Sequence, residues 1–301
     1  VRTTAGSIEN IALLEDLDDP VDIAFVQGGT GDRAVGDNLT SLASLYYEPL
    51  WVFLKEGLVY ERPGDILGKR ISVGPEGSGT RALTMLLLRD AGFSPDDIAV
   101  SDFNGEDALN ALRNGTLDMM ALVASPSSRL VERLLRLDGV HLLNFIRQDA
   151  YTRRHRYLTK LTLPEGAVDL SDNLPPENIG LLAATANLVS REDIHPALVD
   201  ILLLAAEEVH SAGGLFEQPG AFPSPQFLVF PLNDEARRYF TSGPPFLRRT
   251  LPFWAATLID RLALMLLPLI AIVIPLMRIM PPLYKWRVRR RVYRWYKELR
   301  K

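Results

Sequence analysis

The chain has 301 residues, 47% of them hydrophobic, no cysteine and a formal net charge of −4. That length can bury a sizeable core and build two domains or lobes, while the lack of cysteine excludes disulfides and thiol chemistry. The charge is unevenly spread: from Phe246 onward 13 Lys+Arg face two acids, leaving 20 basic and 35 acidic residues in the body, a balance that argues against nucleic acid as the body's partner.

The opening Val1–Ser7 reads as a strand end running into a turn, with no initiator methionine or leader before it, so a first strand and helix are expected upstream. Ile8, Ile11, Ala12 and Leu14 then mark a short helix with Ser7 as its N-cap. Val21–Val26 is an apolar strand ending on Gln27-Gly28-Gly29. Such an end lets a ligand approach the backbone beside one amide side chain, and it equally describes an ordinary glycine turn. Leu42–Leu54, holding Tyr46-Tyr47-Glu48-Pro49, is a long extended run that bridges out of this first segment.

Ile71–Arg81 is the most informative stretch. A short β-branched run stops at Gly74-Pro75, and Ser78, Gly79 and Thr80 open a helix whose apolar face is Ala82, Leu83, Leu86, Leu87 and Ala91. The free N–H groups of a first helical turn, the hydroxyls of Ser78 and Thr80 and the guanidinium of Arg81 suit a small anion. A well-capped helix after a tight turn would read the same way. The spacing fits neither a Walker A loop, since no lysine follows Gly79, nor a nucleophile elbow.

From Ile71 to Phe145 strands and helices alternate, which predicts a mostly parallel α/β sheet with ligands beyond the strand ends. Strands are expected at Ala99–Phe103, Met119–Ala124 and Val140–Phe145. One helix follows Asn104, and another starts at Ser125-Pro126-Ser127 with a Glu132–Arg136 pair one turn apart. A basic helix at Tyr151–Tyr157 precedes a Pro/Asp/Asn-rich stretch, Leu161–Asn178. Ile179–Val189 returns as an apolar strand, and Pro196 starts a strong helix. Two crossings, near Tyr46–Leu54 and Ile179–Val189, make two α/β lobes with a cleft and a two-strand hinge. By these boundaries residues 1–54 and 179–245 form one lobe and 55–178 the other. His141, His155, His195 and His210 have no metal-ligand spacing, and neither a metal nor a cofactor is implied.

Leu251–Met277 is apolar apart from Asp260-Arg261, and Tyr284–Lys301 carries nine Lys+Arg against one acid, interleaved with Trp286, Tyr293, Trp295 and Tyr296. That pattern predicts a membrane anchor over 246–283 and a basic cytoplasmic tail over 284–301, with the acidic body outside the cytoplasm. An amphipathic helix lying in the interface is the competing reading.

Four motifs, Thr4–Asn10, Asp22–Gly29, Tyr46–Leu50 and Val73–Thr80, resemble in order and spacing the TAXI family of TRAP transporter solute receptors. Leu251-Pro252-Phe253-Trp254 through Arg300 is similar to its membrane-anchored subgroup. The resemblance implies an α/β fold of the type II periplasmic-binding-protein kind, anchored at the inner membrane with its body in the periplasm. It implies capture of a small organic acid or amino acid, such as a glutamate-like carboxylate, for integral membrane transporter subunits. Carried over by position, Thr4, Ser7, Gln27 and Gly28 would meet ligand from one lobe, Ser78, Gly79, Thr80 and Ser125 from the other, and Tyr46 near the hinge. Arg81 is added on physical grounds as a carboxylate clamp, a solvated helix position being its alternative. No catalytic constellation accompanies the resemblance. An anchored sensor that signals without transport is the alternative function, and an enzyme of this fold would have to rely on Glu48 or Glu76.

Overall fold

Two long strands carry the fold. In a computed structural model that describes residues 1–18, 21–30, 38–94, 97–243 and, in the tail, 262, 270–271, 273–277 and 280–289, the extended run near Tyr46 becomes β2 (Leu39–Lys55) and the returning apolar strand becomes β8 (Ile179–Arg191). They pair antiparallel from Leu39↔Arg191 to Leu50↔Leu182, with register shifts at Ser41/Ala43 and Ser44/Tyr46. Such bulges bend a strand and re-aim its side chains. Both strands are buried along most of their length because both of their faces are covered.

The sheet has eight strands in the path β1-β8-β2-β5-β3-β4, with β6 on β2 and β7 on β8. At one end β1 (Ile23–Gln27) pairs with β8. At the other, β5 (Met119–Val123) takes over the edge of β2 from Leu50 to Leu54, and β3 (Arg70–Ser72) and β4 (Ala99–Ser101) extend it. β6 (Val140–Leu142) and β7 (Thr159–Leu163) complete it. The α/β class holds, but the sheet is mixed: only β3·β4 and β3·β5 are parallel, and every other pairing is antiparallel. Within Ile71–Phe145, where a mostly parallel sheet is expected, β3, β4 and β5 do pair in parallel; the sheet as a whole is mixed because β5 and β6 join it through β2, which they meet in opposition.

Side-chain alternation sorts the core. On one face Trp51, Phe53, Leu181 and Ala183 pack with Ala108, Leu109 and Leu112 of α3 (Gly105–Arg113) and Val131 and Leu134 of α4 (Arg129–Leu135). On the other, Leu50, Val52, Leu182 and Ala184 meet Leu83 and Leu87 of α2 (Gly79–Asp90). In the first half, Leu42, Leu45 and Leu188 pack under Val199 and Leu203 of α6 (Pro196–His210) and Tyr239 of α7 (Asp234–Ser242). Val26 and Val189 pack with Ile11 and Leu14 of α1 (Ser7–Glu15). The anticipated basic helix lies at Gln148–Arg154 (α5), and α4 starts at Arg129, later than Ser125-Pro126-Ser127 suggested, with the expected Arg136–Glu132 pair at 3.5 Å.

By contact the chain divides into two compact units, Val1–Gly243 and Pro244–Lys301. The anchor expected over 246–283 and the tail over 284–301 fall largely outside the described residues, and among those that are described no helix is long and apolar enough to cross a membrane.

Candidate functional site

The site is built where β1 and α1 meet the first turn of α2. Ser7 is the first residue of α1 rather than its cap, which is Gly6. Its hydroxyl instead accepts from the Gln27 backbone N–H at 2.9 Å, tying the helix start to the strand end. Gln27 is buried, and its Nε2 donates across to the Gly79 carbonyl at 3.3 Å. A Cβ added to Gly79 would stand 1.9 Å from Gln27 Oε1, and one on Gly6 2.9 Å from the Gly77 carbonyl. Only glycine lets the two halves come this close. Gly28 N–H donates to the Thr185 carbonyl at 2.8 Å, and the Tyr157 ring covers Gly29, where a Cβ would lie 2.1 Å from a ring carbon.

Ser78 is the N-cap of α2: its Oγ accepts from Arg81 N–H at 3.2 Å and donates to the Pro75 carbonyl at 2.7 Å. Thr80 Oγ1 accepts from Val123 N–H at 3.0 Å, fixing the helix start to the end of β5. Arg81 reaches sideways, its Nη1 2.5 Å from Asp102 Oδ1 and 3.4 Å from the Gly74 carbonyl. Its charge is already engaged by an acid. Six of the expected residues, Ser7, Gln27, Gly28, Ser78, Gly79 and Thr80, therefore converge.

The others sit apart. Thr4 donates to Asn10 Oδ1 at 2.7 Å and lines an apolar cavity of about 780 Å³ with Phe25, Leu188 and Leu202. Tyr46, just past the second bulge of β2, stacks on His210 (5.3 Å, 25°). Burial first and the nearby Glu48 second push its hydroxyl up to about 12. Ser125 pairs with Ser127 through their hydroxyls at 2.9 Å. Tyr46 and Ser125 line a cavity of about 620 Å³ along the edge of β2, where Glu217 accepts from Tyr47 N–H at 3.1 Å. His210 borders both cavities, and burial lowers its pKa against the opposing pull of Glu217.

One site residue was weighed from sequence only as an enzyme's acid or base. Glu48 faces Ala184 across the β2–β8 ladder, so both side chains project from the face that meets α2. A Cβ on Gly28 would touch the Ala184 methyl at 3.6 Å. Gly28, Ala184 and Glu48 thus form a row on that face. Burial alone raises the Glu48 carboxyl to about 7. Among the described residues no group of three or more His, Asp or Glu is placed to hold a metal ion.

Residues 1–241 match the NMT1-like family. The chain belongs to that family. Among solved structures, this NMT1-like chain is similar to the periplasmic aliphatic sulphonate binding protein SsuA from Escherichia coli (TM-score 0.44, 16% identity, covering 69% of this chain and 60% of that one). It thus spans about 60% of SsuA's length. An ancestral arginine-binding protein bound to arginine aligns with TM-score 0.40 at 15% identity, over 67% and 70% of the two chains. The BenM effector binding domain with its effector benzoate aligns with TM-score 0.41 at 13% identity, over 71% and 79%. In the NMT1-like chain the residues that sequence reasoning passed over, Tyr157 and Thr185, are brought to the site by elements more than a hundred residues from Gln27.

Proposed function

We propose that the protein is a solute receptor that holds a small organic acid or amino acid between two lobes, residues 1–54 with 179–245 and residues 55–178, which move about β2 and β8 as a hinge. The observation that carries this reading is the convergence of Ser7, Gln27 and Gly28 with Ser78, Gly79 and Thr80 from opposite halves of the sheet. The first-turn N–H groups of Gly79 and Thr80 and the dipole of α2 suit the ligand's carboxylate, with Gln27 as the cross-lobe latch. Within the family the TAXI subgroup is the finer assignment, with delivery to TRAP-type transporter subunits. The anchor at 246–283 would tether the body on the periplasmic side of the inner membrane and leave the basic tail in the cytoplasm. The apolar span followed by an aromatic and basic flank supports that placement.

The test is thermal melting of the full chain in detergent against a panel of small carboxylates and amino acids. A ligand that binds only the folded state stabilises by about 2.7 kcal/mol at a hundredfold excess over its Kd. A shift that is lost in Gln27→Ala establishes the receptor and its site. A folded chain that shifts with no member of the panel refutes the reading.

A further inference from the structure

We propose that the cavity of about 620 Å³ along the edge of β2 is a second binding site, and that it takes a small organic cation such as an alkyl or quaternary ammonium compound. A cavity of this size is that of a small-molecule site. None of the six residues that converge at the start of α2 lines it. The two places lie on different faces of the sheet: Tyr47 packs on the core that α3 and α4 cover, whereas α2 packs on the other face. Consecutive residues of a regular strand point to opposite faces. The register shift between Ser44 and Tyr46 breaks that alternation, and both Tyr46 and Tyr47 line the cavity. Its remaining walls come from the turn at Ser125–Ser128, from Glu132 of α4, and from the end of α6 with the loop that follows it as far as Phe222.

Three aromatic rings and a histidine meet there. Tyr47 and Phe222 pack edge to face at 5.0 Å, and Tyr46 stacks on His210 at 5.3 Å. Glu217 stands beside them, its carboxylate accepting from Tyr47 N–H at 3.1 Å. One neutral donor does not neutralise a carboxylate. Glu132, the other acid of the lining, shares the Arg136 guanidinium with Asp169 and Asp172. No lysine or arginine is among the described residues that line the cavity. Burial holds His210 below its ordinary pKa against the pull of Glu217, so that ring adds no positive charge at neutral pH. The lining is thus aromatic and anionic. Ring faces attract a cation through their quadrupole, and most strongly one that is readily stripped of water. A carboxylate beside them supplies the counter-charge, whereas an anionic ligand would meet like charges. A sugar would have to be held by hydroxyls, and those of Ser125 and Ser127 already bond each other at 2.9 Å. A metal ion would find no group of three or more His, Asp or Glu among the described residues.

Choline and 3,3-dimethyl-1-butanol have the same shape and differ in the charge of one central atom, and neither carries a carboxylate for the first turn of α2. Binding of each to the full chain in a non-ionic detergent is read by calorimetry. Choline is expected to bind saturably, and about tenfold or more tightly than the alcohol. Glu217→Gln keeps an oxygen that can accept from Tyr47 N–H and removes the charge. In that variant choline affinity should fall about tenfold with the circular dichroism spectrum unchanged. If Glu217→Gln does not fold, Tyr46 takes its place: Tyr46→Leu, which removes a ring, should weaken choline binding, and Tyr46→Phe, which keeps it, should not. Equal binding of choline and the alcohol overturns the assignment. So does a folded Glu217→Gln variant that binds choline as the wild type does, and so does a folded chain that binds neither choline, tetramethylammonium nor n-butylammonium. Each of these outcomes leaves the receptor reading standing, since the panel of carboxylates and amino acids decides that reading separately.

Discussion

Replacing Glu48 by glutamine isolates the cost that burial of its carboxyl places on the folded protein. Burial raises the folded-state pKa of Glu48 from 4.5 to about 7. The unfolded chain therefore releases this proton near pH 4.5, whereas the folded chain keeps it until about 7. Between those values the folded state binds more protons than the unfolded one, so the contribution of Glu48 to stability falls as pH rises. At 1.36 kcal/mol per pKa unit, the full penalty is about 3 kcal/mol, absent below pH 4.5 and complete above pH 7. Glutamine keeps the shape and carries no charge. Glu48→Gln should then match the wild type in urea unfolding at pH 4.5 and exceed it by about 2–3 kcal/mol at pH 8, part of the gain being offset by the buried amide. Taking the difference between the two proteins cancels every other titrating group, apart from Tyr46, which is coupled to Glu48 but titrates far above this range. A difference that is the same at both pH values, or a variant weaker than wild type at pH 8, refutes the reasoning.

Three further outcomes are expected. Gly79→Ala drives a methyl into Gln27 Oε1 and should lower ligand affinity at least tenfold; adding Gln27→Ala removes the clash, so the double variant should be no worse than Gln27→Ala alone, a coupling read by calorimetry in a double-mutant cycle. Thr80→Val strips the acceptor from Val123 N–H and leaves a half-buried donor unmet, costing about 1 kcal/mol in urea unfolding. Asp118 is held down to about 2 by the Arg70 guanidinium. Its stabilisation is complete above the ordinary carboxylate range and is lost as pH falls toward 2. Because Arg70 is half-exposed, Asp118→Asn should cost only about 1 kcal/mol at pH 7 and should flatten the acid limb of the unfolding curve.

Local chemistry made much of this fold legible. Ser78 does cap α2, Pro196 does open α6, and the two apolar runs that cross between halves are β2 and β8. What stayed hidden depended on partners far along the chain. β7 lies partly inside a stretch whose prolines and acids read as loop, and it exists because Thr159–Leu163 finds an edge of β8. Helix α7 reads as polar, yet Ala236, Tyr239 and Phe240 seat it on the core. At the site, Ser7 was legible as a helix start but not as the acceptor for Gln27, twenty residues on. Arg81 suggested a clamp because nothing in its own segment reveals that Asp102, across a strand, takes its charge. Glu48 could be weighed only as the acid or base of an enzyme, since its environment is made by Ala184 and Gly28 from other parts of the chain.

The pairing of β2 with β8 also has a consequence for the nascent chain. Everything from Glu56 to Asn178 is synthesised between these two partners, so β5, β3 and β4 can assemble on the far end of β2 while its near end still waits for β8. Until the ribosome has delivered Ile179–Arg191, residues Leu39–Leu50 are an apolar strand with open edges, the kind of surface that seeds pairing with another chain. A holdase that shields this segment during synthesis, or a slowed elongation rate near residue 190, should therefore change the yield of folded protein.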